Sequence, residues 1–246
     1  MSEKENRKII DNINIKFFDA LSDKYDRAAA TCKILYDEAG KLINPLVQGK
    51  TVLDVGNGGH FPYSTDLPKE LIAMDISSGM LSKIKDPRIK KIISDARELN
   101  GIEDASVDVI IFSLSLHHIN GVNVKETLKM LDDLLLLANC KIRSGGHFII
   151  IESVFGLSTF RVQCFFFHVI RFLLNKCGVP MIFFYTLKIL KQKVAQTFQL
   201  NKSDLVVSPL ELKGFIDPMG ASFPGVIRIP AWGHPLRYYI MVAIKK

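Results

Sequence analysis

The chain has 246 residues, 48% hydrophobic and 23% charged. That composition excludes disorder and suits one domain with a well-buried core. Residues 1–155 carry 20 Lys+Arg against 22 Asp+Glu, a balance of −2, and residues 156–246 carry 12 against 3, a balance of +9. The basic C-terminal part suits an anionic partner or a solvated basic face. Cys32, Cys140, Cys164 and Cys177 stand far apart with no C-x-x-C pair. This speaks against a metal site or a disulfide framework and for a reducing, cytoplasmic setting. The charged N-terminus lacks the apolar run of a secretory signal.

Residues 7–47 read as helices, with Phe17, Phe18, Leu21 and Tyr25 on one stripe. Five apolar runs follow: Thr51–Val55, Leu71–Asp75, Ile89–Ile93, Val107–Ser113 and Gly146–Glu152. Each is bounded by turn residues or a helical pattern, as at Leu128, Leu131, Leu135 and Leu136. Strands alternating with helices predict βαβ units and a parallel sheet covered on both faces. The segment 156–204 is expected to form a helical cap of two helices separated by Gly178-Val179-Pro180. Ser208-Pro209-Leu210-Glu211 reads as a helix start. Val226–Ile229 and Arg237–Ile244 then read as two strands joined too tightly for a crossover, hence antiparallel. The expectation is a single α/β domain over 1–246. It divides into N-terminal helices (1–47), a core (48–155), the cap (156–204), and a last helix with a strand hairpin (205–246).

In such sheets the ligand lies beyond the carboxyl ends of the strands, where strand order reverses. Asp54-Val55-Gly56-Asn57-Gly58-Gly59-His60 follows the first strand, and its glycines let backbone approach a ligand closely. Asp75 ends the second strand, placed to accept from ribose hydroxyls. Asp95, after the third, is placed to accept from an adenine amino group. The loop does not suit a nicotinamide fingerprint, whose third glycine would fall at Phe61.

These residues carry a family resemblance. Asp54–Gly59, Asp75-Ile76-Ser77-Ser78-Gly79-Met80-Leu81, Ser94-Asp95-Ala96, Ser113–Ile119 and Arg143-Ser144-Gly145-Gly146 resemble the motifs of class I S-adenosylmethionine-dependent methyltransferases. Phe17–Asp26 is similar to the N-terminal helix of the ubiquinone/menaquinone type. The resemblance implies a Rossmann-like seven-stranded sheet with an antiparallel last strand, and S-adenosylmethionine as cofactor. It implies Asp54, Gly56, Asn57, Gly58 and Gly59 around the methionine portion. Asp75 would hold the ribose, and Ile76, Met80, Asp95 and Ala96 would meet the adenine. Ser113 would lie near the transferable methyl. His60 stands where the family has a glycine, and Pro62 and Pro68 predict irregular backbone over Phe61–Thr65 where a helix is usual.

Methyl transfer needs a nucleophile held in line and, for a hydroxyl or acidic carbon, a general base. His117 and His118, after the fourth strand, are the candidate bases. Tyr25 is a candidate to close over the sulfonium, and His60 is a candidate to line the site. Glu152 reads as a substrate-facing or helix-capping acid. Eight of the sixteen Phe lie between Phe155 and Phe184, so the cap is expected to select a small, apolar acceptor. The same surface suits peripheral membrane contact or a homodimer, and its oiliness speaks against nucleic acid. Two rival readings stay open: an RNA methyltransferase using the basic C-terminal part, and a non-methylating binding or cyclase member of the fold.

Overall fold

A computed structural model describes residues 12–22, 33–56, 58–207 and 236–246. Its elements in chain order are helix α1 (residues 12–22) and α2 (Lys33–Val47), strands β1 (Thr51–Val55) and β2 (Glu70–Asp75), the short helix α3 (Ser78–Ser82), β3 (Lys90–Ile93) and β4 (Val107–Ser113). After a single 3-10 turn at Leu116–His118 come α4 (Val124–Lys141), β5 (Ile142–Phe155), α5 (Leu157–Phe165), α6 (Phe167–Lys176), α7 (Leu187–Thr197), β6 (Gln199–Val207) and β7 (Leu236–Ile244).

The seven strands form one sheet in the order β3-β2-β1-β4-β5-β7-β6. The first five strands pair in parallel, and β7 runs antiparallel to both β5 and β6. The central strands are buried on both faces, which is why they read as unbroken apolar runs. One face carries a core of Leu53, Ile110, Phe112, Phe148 and Ile150 under α4 and the cap helices. The other carries Val52, Val109, Ile111, Ile149 and Ile151 under α2. Helix α4 begins on a reciprocal cap: Glu126 N–H donates to Asn123 Oδ1 at 2.8 Å, and Glu126 Oε2 accepts from Val122 N–H at 2.8 Å. Leu131 and Leu135 face the core as expected, but Leu136 turns to solvent.

Four expectations need correction. The antiparallel partner of β7 is Gln199–Val207, and the segment Val226–Ile229 lies outside the described residues, as does the helix start at Ser208. The cap therefore ends at Thr197, not at 204, and β6 carries the charges Lys202 and Asp204 that suit an outer strand. The first expected cap helix is two helices, α5 and α6, bent by 69°. The turn Arg143–Gly146 is a bulge inside the longer β5, where Gly145 adopts φ +74° and the pairing with β4 shifts register.

The prolines after β1 act as expected. Among the described residues 56 and 58–69 none is helical. The loop is instead fastened to α2: Ser64 N–H donates to Asn44 Oδ1 at 3.0 Å, and a Cβ on Gly40 would lie 2.9 Å from the carbonyl oxygen of Pro62.

Candidate active site

Strand order reverses between β1 and β4, and the predicted motifs gather at their carboxyl ends. Gly56, Gly58 and Gly59 take left-handed φ values of +71°, +61° and +84°. At Gly56 a Cβ would stand 2.8 Å from the Cβ of Ser115, so only glycine fits there. Ser115 Oγ donates to the carbonyl of Val55 at 2.9 Å, which ties the end of β1 to the turn after β4. Between Ser113 and Ser115, Leu114 is held at φ +52°, a strained conformation for a branched side chain. That reversal lets Leu114 N–H reach the carbonyl of Ile151 on β5 at 2.8 Å and carries His117 and His118 over the ends of β4 and β5. Ser113 Oγ is buried without a hydrogen-bond partner among the described residues, as an atom awaiting a ligand would be.

Asp54 is fully buried, and its Oδ2 accepts from the hydroxyl of Tyr63 at 2.8 Å. Burial, and then the adjacent Asp54, hold the Tyr63 phenol well above its ordinary range, so it remains a donor. Asp54 is thus a residue beneath the glycine loop, fixed by a partner nine positions on. Nothing in the sequence patterns flagged Tyr63, which lies in the stretch read as irregular backbone. Gly58 is buried, Gly59 and His60 are half-buried, and Asn57 lies outside the described residues.

Asp75 lies at the end of β2 and accepts from Ser77 N–H at 2.9 Å. Burial pushes its carboxyl up to about 6, against backbone N–H donors from Ser77, Gly58 and Ile76, with Asp19 adding repulsion. Ile76 is half-buried beside it, and Met80 is buried on α3. Asp95 is less free than the spacing implied. Its Oδ1 accepts both the backbone N–H (2.8 Å) and the Nε–H (2.9 Å) of Arg97, so its carboxylate is already paired. Ala96 is half-buried next to it.

Helix α1 closes one side. Asp19 Oδ1 accepts from Ser77 Oγ at 2.5 Å and from Gly79 N–H at 3.1 Å, and Lys83 Nζ donates to the carbonyl of Ser22 at 2.7 Å. One residue earlier, Phe18 stands edge-on to His118, with ring centroids 4.9 Å apart. Tyr25 lies outside the described residues.

The two histidines have different surroundings. His118 is held well below the ordinary histidine range by burial and then by His117, so it is neutral, packed against Phe18. His117 Nδ1 lies 2.7 Å from Glu152 Oε1. Glu152 is fully buried on β5 and also accepts from the backbone N–H groups of Ser153 (2.8 Å) and His117 (3.3 Å). Every other partner of that carboxylate is a donor. The imidazole therefore presents its Nδ1–H to Glu152, and in the neutral ring the lone pair is on Nε2. Glu152 is thus neither a cap nor a free substrate-facing acid, but the orienting partner of His117. Phe184, from the cap, lies 5.2 Å from the His117 ring and 4.8 Å from Phe155. The strap that carries it is tied down by Phe183 N–H donating to the His117 carbonyl at 2.9 Å. Asn120 Nδ2 fastens it further, donating to the carbonyls of His117 (3.1 Å) and Met181 (2.6 Å).

Residues 53–150 match the family model described as a methyltransferase domain. Among curated proteins, none matches the chain in sequence. Several solved structures share the fold. One is the complex between the Haloferax volcanii Trm112 methyltransferase activator and a methyltransferase (TM-score 0.60, 13% identity, 93% of this chain and 97% of that one). Another is the [4+2]-cyclase SpnF (0.57, 17%, 85% and 81%). A third is the geranyl diphosphate C-methyltransferase of Streptomyces coelicolor, in complex with Mg2+, geranyl diphosphate and S-adenosyl-L-homocysteine (0.56, 9%, 85% and 78%). Residues 53–150 thus match a methyltransferase domain, and the seven-stranded sheet has the fold of these solved methyltransferase structures. The left-handed glycine run, the unpartnered Ser113 Oγ and the carboxylate of Asp75 fit S-adenosylmethionine as cofactor.

Asp75→Ala is expected to weaken S-adenosylmethionine binding by about tenfold to a hundredfold, since a charged hydrogen-bond acceptor contributes about 1.5–3 kcal/mol. The pH dependence has a definite sign. Ribose hydroxyls bind the ionised carboxylate, whereas the free protein takes up a proton as pH falls through about 6. Binding then has to release that proton, so affinity falls toward about tenfold per pH unit below 6 and is level above it. Calorimetric titration between pH 5 and 8 reads this, and Asp75→Asn flattens the curve.

Proposed function

We propose that the protein transfers a methyl group from S-adenosylmethionine to a small apolar acceptor, with His117 as the base. The observation that carries this reading is the buried His117–Glu152 pair framed by Phe18, Phe155 and Phe184. When bound, the cofactor supplies an activated methyl on a sulfonium. Gly56, Gly58, Asp75 and Ser113 bind and orient it. The aromatic rings exclude water and hold the acceptor's apolar body. His117 Nε2 would take the proton that the acceptor's hydroxyl or acidic carbon gives up on gaining the methyl, while the methyl–sulfur bond breaks and S-adenosylhomocysteine leaves as a neutral thioether. Glu152 stabilises the imidazolium so formed and keeps the ring in the productive tautomer. Cys140, Cys164 and Cys177 are free thiols, which supports a cytoplasmic setting.

The test is methyl transfer from tritiated S-adenosylmethionine into a panel of phenols, isoprenoid alcohols and fatty acids, run beside bulk tRNA. Label partitioning into the organic phase supports the reading. Label in RNA alone, or cofactor binding with no transfer to any class, overturns it in favour of the nucleic-acid or the non-methylating alternative.

A further inference from the structure

Helices α5 and α6 are apolar on both sides. Their inner side packs on the core through Phe167, Ile170 and Leu174. Their outer side exposes Val162, Phe165, Phe166, Val169, Phe172 and Leu173, with Phe165 81% exposed. A surface helix of a water-soluble domain shows a polar outer face, and a helix apolar all round is covered by something. The polar groups on this hairpin are of one sign. Between Glu152 and Asp204 the chain has no acidic residue, while Arg161 and Lys176 lie on the two helices and Lys188 and Lys191 on α7. Arg171 is half-buried toward Glu126 of α4 and takes no part in this rim. Lys176 lies with its Nζ 4.8 Å from the centre of the Phe172 ring, at the border of the oily patch.

We infer that the α5–α6 hairpin docks into one leaflet of an anionic lipid bilayer. The charge pattern selects this occupant over a second copy, since two copies would set acid-free basic rims against each other, whereas anionic headgroups neutralise them. The geometry selects insertion over spanning. No single helix among the described residues is long and apolar enough to cross a membrane. The ten residues of α6 reach about 15 Å, half of the roughly 30 Å hydrocarbon core. The two helices are long and apolar enough only as a pair, and the 69° break between them suits a re-entrant element better than one straight crossing. The inserted hairpin also forms the roof of the site. Gln163 of α5 donates from Nε2 to the Phe184 carbonyl at 2.9 Å and accepts Phe184 N–H on Oε1 at 3.0 Å. The Phe184 ring in turn lies against His117. An apolar molecule dissolved in the leaflet therefore meets aromatic surface from the hairpin to the base.

Flotation on vesicles of phosphatidylcholine containing about a third phosphatidylglycerol tests this. The full chain is expected to float with these vesicles and to float less with phosphatidylcholine alone. The double substitution Phe165→Glu with Phe172→Glu, at exposed positions, should lower the partition coefficient by about tenfold or more and leave S-adenosylmethionine binding unchanged. Absence of flotation on either vesicle overturns the inference. So does equal flotation of the double variant, or a self-associated species in sedimentation velocity that the double variant dissociates. Flotation is read without any methyl acceptor, so its failure leaves the reading of the active site standing, and failure of methyl transfer leaves this one standing.

Discussion

His117→Ala is expected to lower turnover of the apolar acceptor by about 10²–10⁴-fold with cofactor affinity nearly unchanged, the range of a removed general base. The split matters because a merely structural histidine would lower both. Its orienting partner behaves differently. Glu152 is fully buried and accepts from His117 Nδ1, His117 N–H and Ser153 N–H. Glu152→Ala strands those donors away from water, at about 1–3 kcal/mol each. Urea unfolding should therefore show a loss of about 3–5 kcal/mol, as when one partner of a buried pair is removed. Glu152→Gln keeps the volume and one acceptor oxygen but no negative charge to stabilise the imidazolium. It should stay folded and lose turnover. A Glu152→Gln enzyme with unaltered turnover would remove His117 from the mechanism.

Gly56→Ala is expected to abolish measurable S-adenosylmethionine binding. Two independent costs combine at this position. The left-handed φ of +71° costs an alanine about 1–2 kcal/mol. Its Cβ would also press into Ser115, 2.8 Å away, and Ser115 is the residue that ties β4 to β1. Gly145→Ala separates the two costs. Gly145 has nearly the same φ, +74°, but nothing within 4 Å of the added Cβ. It should lose stability alone and bind cofactor normally by calorimetry. Equal effects of the two substitutions on binding would show that the loop is not the cradle.

Much of this architecture was legible because a two-sided parallel sheet leaves a plain signal. Four of the five parallel strands are buried runs bounded by turns, and their carboxyl ends follow from the order of the chain. The last pair was misread for the opposite reason. Gln199–Val207 is an outer strand whose polar residues mask its pairing, while Val226–Ile229 has the branched residues that strands favour. At the site, a motif marks its own positions in the sequence but not the partners that distant elements bring to them. Glu152 lies 35 positions from His117, and only the parallel pairing of β4 with β5 brings them together. Tyr63 sits in backbone that two prolines keep irregular, where no periodicity marks an inward side chain. The Arg97 partner of Asp95 is local, two residues on, and the spacing of the strands does not reveal it.

Helix α1 has a kinetic consequence. Asp19 holds it to the segment after β2 through Ser77 and Gly79, and one residue earlier Phe18 holds it to the histidine side. Cofactor and acceptor are therefore expected to leave by lifting the same helix, and their exchange should not be independent. Initial-rate studies should show a compulsory order, with S-adenosylhomocysteine competitive against S-adenosylmethionine and mixed against the acceptor. Asp19→Ala, which loosens the tether without touching either ligand, should shift that pattern toward random order and speed product release.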